Sequence, residues 1–134
     1  MIEVFVPGIP APQGSKRYVG NGIMIESCKA VKPWRESIRT RLVTDDGQPI
    51  ERIDGAVAST LEFILPRPKS TPKKRTPLAT KKPDLDKLER AVNDAVKSAG
   101  VIMDDSCIVR TIKAKRLAEI GEAPGLRIKL EGAA

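Results

Sequence analysis

Ile2, Val4 and Val6 alternate with Glu3 and Phe5 along IEVFV at the start of the chain. A period of two predicts a strand with one buried face. The next stretch, PGIPAPQGSKRYVGNG, is rich in Pro and Gly and predicts loop. The period then lengthens to four at Trp34, Ile38 and Leu42, and Pro33 suits a first helical position. A helix is therefore expected from about Pro33 to Val43, with Trp34 in the core and the turn DDGQP behind it. AVASTLEFIL (56–65) predicts a second strand with Val57, Leu61, Phe63 and Leu65 on one face, ended by Pro66. From Leu85 the apolar positions Leu88, Val92, Ala95, Val96 and Ala99 form one stripe of a second helix, and Gly100 suits the left-handed position beyond its end. CIVRTIKAKRL (107–117) and LRIKL (126–130) alternate as two more strands around a GEAPG turn. The order is βαβαββ, an α/β (α+β) arrangement with two main helices packed on one mixed sheet. There is no internal repeat.

The length, 134 residues, suits one domain with its own core, and 31% charged residues beside 40% hydrophobic ones fit a folded globular chain. No apolar run approaches the roughly 18–20 residues of a membrane span. MIEVFVPGIP has no basic segment ahead of an apolar one, so no signal peptide is expected. Cys28 and Cys107 are too few for a zinc cluster or a disulfide framework, which makes a reducing cytoplasm the expected compartment. Histidine is absent altogether. That removes imidazole acid–base catalysis, Ser–His and Cys–His nucleophiles and imidazole metal sites. Any catalysis must run on carboxylates, Lys, Arg, Tyr18 or a thiol. Carboxylate ligands alone favour a hard cation such as Mg²⁺ or Mn²⁺.

Charge is unevenly distributed. PRPKSTPKKRTPLATKKP (66–83) holds Arg67, Lys69, Lys73, Lys74, Arg75, Lys81 and Lys82 with no acidic residue, and these seven cations equal the net charge of the whole chain (24 − 17 = +7). Five prolines exclude helix and central strand there. A long basic loop is either a solvated linker or the footprint of a polyanion; without aromatic residues, its contacts are expected to be sequence-independent and to phosphate. Lys16 and Arg17, in a Gly-flanked loop, are further candidates.

Directly behind this tract lies KPDLDKLERAVNDAVKSAGVIMDDS (82–106). Each aspartate has an ordinary explanation: Asp84 as N-cap, Asp86 as a first-turn acid favoured by the helix dipole, Asp104-Asp105-Ser106 as a turn. Capping alone, however, would be served by a single Ser or Asn. Two carboxylates one residue apart beside seven cations can instead hold one metal ion against a phosphodiester, which is what a hydrolytic nuclease needs.

The series Asp84-Leu85-Asp86, Arg90, Asp94, Gly100 and Asp104-Asp105 resembles the D-x-D-N-x-x-K … D … G … D-D signature of the RusA family. These are small, dimeric, Mg²⁺-dependent Holliday-junction endonucleases of bacteria and their phages. PAPQGSKR is similar to the phage branch. The likeness covers most of the chain, although only residues 82–107 are specific. It implies a single RusA-like domain over 1–134 that resolves four-way DNA junctions by paired phosphodiester hydrolysis, with Mg²⁺ or Mn²⁺, in recombination, repair or phage DNA processing. It also implies that Asp84, Asp86 and Asp105 are the essential metal-binding carboxylates, with Asp104 a weaker auxiliary. The family's Asn is Lys87 here, and its lysine falls at Arg90. Arg90 keeps the charge but does not readily donate a proton. If the family lysine acts as an acid, Lys87 or water must replace it; if it stabilises charge on phosphate, Arg90 suffices, and this is the version preferred. The rival readings are a nuclease for other branched DNA and a non-catalytic nucleic-acid-binding protein.

Spacing raises one difficulty. A helix over 85–99 is about 22 Å long, so Asp105 follows the end opposite Asp84 and Asp86. Asp94 lies about 12 Å beyond Asp86 along the axis, which favours a supporting or surface role over direct ligation. Either GVIMDD returns extended along the helix, a span of at most about 20 Å, or Asp105 serves a second copy. A two-fold homodimer would satisfy the spacing and would also match a symmetric substrate cut on two strands.

Overall fold

The computed structural model describes residues 1–14, 16–18, 20, 24–26 and 28–133, with side chains left aside at 16–18 and 24–26. The opening alternation becomes β1 (Ile2–Pro7), followed by β2 (Lys16–Tyr18), β3 (Met24–Glu26), α1 (Val31–Leu42), β4 (Val57–Leu65), α2 (Leu85–Ser98), β5 (Ile108–Leu117) and β6 (Gly125–Gly132). β1, β6, β4 and β5 form one sheet in that order, antiparallel except for the parallel pair β4–β5. Parallel neighbours need a long crossover. The basic segment and α2 provide it.

One face of this mixed sheet carries the core. Val57, Leu61, Phe63 and Leu65 of β4 and Leu126, Ile128 and Leu130 of β6 share one core with the buried stripes of the two helices: Trp34, Ile38 and Leu42 on α1, and Leu88, Val92, Ala95 and Val96 on α2. Each large side chain so buried stabilises the fold by about 1.5–3 kcal/mol, which fixes the axis and rotation of α2. The other face mixes buried Ile64 with ion pairs: Arg116 and Arg127 both pair with Glu62, and Arg127 lies over the Phe5 ring.

Two local differences from the sequence reading have physical causes. The Pro/Gly-rich stretch contains the hairpin β2–β3, pairing Lys16 with Glu26 and Tyr18 with Met24. Its three-residue strands are too short to display a period. α1 begins at Val31, two residues before Pro33. The first turn of a helix leaves its N–H groups without intrahelical acceptors, so proline fits at the third position too. The turn expected at Asp104-Asp105-Ser106 is present as a short 3₁₀ turn, Asp105–Cys107, ahead of β5. Gly100 takes φ +82° beyond α2, the left-handed geometry expected there.

β5 runs back alongside α2. Lys113 Nζ meets Glu89 Oε1 at 2.8 Å, and Lys115 Nζ donates to the carbonyls of Lys81 and Pro83, both at 2.8 Å. The start of β5 therefore lies at the C-terminal end of α2, and its end lies beside the N-terminal end.

Candidate active site

At the N-terminal end of α2, Asp84 occupies the N-cap with extended backbone (φ −71°, ψ 140°), but its side chain makes no capping bond. The expected cap is thus a backbone position only. Its carboxylate instead faces Lys87 Nζ at 4.0 Å and remains half exposed. Asp86 is exposed in the first turn, where the helix dipole favours its charge. Among the described residues no hydrogen bond or ion pair engages the Asp86 carboxylate. A cavity of about 410 Å³ opens beside Asp84 and Lys87, walled by Pro10, Pro12 and Cys28.

The loop before β2 lies along the same helix. Gln13 N donates to Lys87 O at 2.9 Å. Gly14, at φ +100°, sits so close to Arg90 that a Cβ there would fall 2.6 Å from Nη1 of the guanidinium. The Gln13 amide donates to Asp94 Oδ2 at 2.5 Å and accepts from Arg35 Nη1 at 2.6 Å, while Arg35 stands 3.8 Å from Asp94. Asp94 thus anchors this loop. Gln13 and Arg35 are site-shaping residues that the sequence reading missed, since the Gln13–Asp94 contact joins positions 81 apart.

Asp104 and Asp105 belong to the opposite end. Asp104 accepts from Lys97 Nζ at 2.8 Å through Oδ1 and from Ser106 N and Oγ at 3.1 and 2.7 Å through Oδ2. Lys97 first, then Ser106, hold its carboxyl well below the usual carboxylate range. Both Asp104 oxygens are therefore engaged within the chain. The Asp105 carboxylate has no hydrogen bond or ion pair among the described residues. Partial burial, and next the nearby charge of Asp94, push its pKa upward.

GVIMDD does not return along α2. Val101 and Ile102 turn into the core, Val101 O accepts from Ile53 N at 2.9 Å, and Asp104 stays tied to Lys97 in the last turn of the helix. Asp84, Asp86 and Asp105 consequently remain apart within one chain: among the described residues, no three acids or thiols come close enough to hold a metal ion.

In the basic loop, Lys69, Lys73, Lys74, Arg75, Lys81 and Lys82 are all exposed. Arg67 differs, because its guanidinium is directed inward onto the loop itself. Lys16 and Arg17 fall in β2, and their side chains lie outside the described residues. No helix among the described residues is long and apolar enough to cross a membrane.

A two-helix α+β domain with paired carboxylates behind a cationic loop has the parts of a nuclease acting on a polyanion. The family model for endodeoxyribonuclease RusA matches residues 7–131. The chain belongs to the RusA family of endodeoxyribonucleases. None of the curated proteins compared with it matches.

Proposed function

We propose that the protein is a divalent-cation-dependent endonuclease that resolves four-way DNA junctions as a homodimer, with Asp84 and Asp86 of one subunit and Asp105 of the other forming each site. The observation that carries this reading is the separation of two sets of carboxylates by the length of α2. The donor chemistry fits Mg²⁺ or Mn²⁺: oxygen ligands only, with the Asp86 and Asp105 carboxylates uncommitted among the described residues. Among the described residues, no three acids of one chain come close enough to form the set, which supports a shared site. When bound, such an ion polarises the phosphate and lowers the pKa of water.

The remaining roles fall to the chain's own groups. The exposed lysines of the basic loop attract and hold the backbone of the DNA. Arg90 and Lys87, on the exposed side of α2 near Asp86, stabilise negative charge on the phosphate. Asp104 secures the turn that presents Asp105.

The edge of the sheet supports the dimer. Among the described residues β5 pairs only with β4, and Val109 and Ile112 are 63% and 64% exposed, unusual for apolar side chains on a regular strand. Antiparallel pairing of β5 with its own copy would bring the start of one strand, with Asp105, toward the end of the other, which adjoins Asp84. Such a contact is isologous and closed.

The test uses labelled four-way, forked and linear duplexes with and without Mg²⁺. Wild type is expected to nick the four-way junction symmetrically only with the cation, and Asp86→Asn to bind it without nicking. Cation-independent cutting, or undiminished cutting by Asp86→Asn, would refute the assignment.

A further inference from the structure

Seven cations mark the segment 66–83, and counting charges alone treats all seven as phosphate contacts. The hydrogen bonds separate one from the rest. Arg67 leaves the end of β4 directly after Pro66, and its Nη1 donates to Thr76 Oγ1 at 2.7 Å and to Ala118 O at 3.2 Å. Its Nη2 donates to Pro72 O at 2.5 Å and to Arg75 O at 2.8 Å. Thr76 Oγ1 passes the link on to Glu119 Oε2 at 2.6 Å. Ala118 N in turn donates to Leu65 O at 2.8 Å, so the residue that receives Arg67 is itself fixed to the end of β4.

The terminal nitrogens of one guanidinium therefore make four bonds to neutral oxygens, three of them from residues 72–76 and one from the turn after β5. The planar fork of arginine suits several fixed acceptors at once, whereas a lysine ammonium is a point charge on a flexible stem. Arg67 is half-buried, while Lys69, Lys73, Lys74 and Arg75 around it are exposed. Prolines at 66, 68, 72 and 77 restrict φ on both arms of this turn.

We propose that Arg67 is a positioning residue: it staples the basic loop into one shape before DNA arrives, so that Lys69, Lys73, Lys74 and Arg75 meet the phosphates as a fixed array. This rests on the nuclease reading above, because the polyanion that the array meets is DNA. An 18-residue loop ordered only on binding would lose conformational freedom at that moment, and a loop already held in place avoids that loss. Arg67 thus raises affinity without itself touching phosphate.

The staple and the electrostatic contact give different signatures in the full-length protein. In the first arm, without DNA, limited trypsin digestion follows cleavage after Lys69, Lys73 and Lys74. Arg67→Lys keeps the charge but loses the fork, and cleavage is expected on the order of tenfold faster than in wild type. Thr76→Val, which removes one acceptor and the Glu119 link, should move cleavage in the same direction by less, and thermal melts of both variants identify any global unfolding.

In the second arm, a synthetic four-way junction is titrated without divalent cation across a salt series. Arg67→Ala and Arg67→Lys should both bind about three- to tenfold more weakly, with the slope of log affinity against log salt within about half a unit of wild type. A phosphate contact at Arg67 predicts the opposite pattern: Arg67→Ala lowers the slope by about 0.9, Arg67→Lys binds as wild type, and neither is cut faster. That pattern would overturn the staple. Faster cleavage together with a wild type that binds no DNA would retain the loop's architecture, and would overturn both the junction reading and the role in presenting cations.

Discussion

Mixing two inactive variants tests the composite site quantitatively. The first carries Asp84→Asn with Asp86→Asn, the second Asp105→Asn. Two carboxylates that share one Mg²⁺ at oxygen distances of about 2.0–2.1 Å have oxygens within roughly 4 Å of each other. Asp86 and Lys97 stand about 16 Å apart along the axis of α2, and Asp104 is held at the Lys97 end by a 2.8 Å contact. A side chain cannot close such a gap, so within one chain the two variants have no way to complement. In a two-fold dimer they do. Free exchange makes about half the dimers mixed, and each mixed dimer has one site with all three carboxylates and one with none of them. About a quarter of all sites are then intact. The expected result is nicking at about a quarter of the wild-type rate per chain, from two stocks that are inactive alone. The products should be singly nicked junctions, without paired incision. Tagged copies that co-purify establish exchange, and junction gels read the nicks. Demonstrated exchange without nicking would refute the shared site, as would activity in either unmixed variant.

Two further predictions address charge. Replacing Lys73, Lys74 and Arg75 together by Ala should flatten the salt dependence of junction binding by up to about 2.7 units, three cations at 0.9 each, checked by the same titration in a salt series; an unchanged slope would remove the loop from the DNA contact. In the turn between β5 and β6, the Arg116 guanidinium first, and the Glu119 N–H next, lower the Glu122 carboxyl to about 2 from its ordinary 4.5. A depressed carboxylate contributes stability that is complete above about pH 4.5 and lost as pH falls through about 2. Glu122→Gln should therefore melt below wild type at neutral pH, with the difference closing over that acid window in thermal melts.

How much was legible in the sequence follows from the range of each interaction. α2 was plain because Leu88, Val92, Ala95 and Val96 repeat with the helical period, and Gly100 marks where it ends. β4 and β6 declared themselves by alternation, since one face of each meets the core. The β2–β3 hairpin did not, because three residues cannot establish a period. Asp84 and Asp86 were found from spacing and charge context, yet spacing could not reveal that Asp84 leaves its capping bond unmade. The two roles hardest to foresee depend on distant contacts: Gln13 reaches Asp94 across the sequence, and Arg67 reaches Ala118 after β5. In composition, Arg67 is indistinguishable from its six cationic neighbours. Only the geometry of its acceptors sets it apart.

The length of α2 also bears on safety. A nuclease whose single copy holds a complete site can cut wherever it lands. Here, on the reading proposed, an isolated subunit carries two incomplete halves separated by about 16 Å of rigid helix between Asp86 and Lys97, and is chemically silent. Cutting competence then depends on subunit concentration as a second-order quantity, vanishing on dilution faster than the protein itself. On that reading the same helix would also set the separation between the incision points once two copies meet. One helix would thus serve as both a lock against stray cutting and a ruler for the pair of cuts.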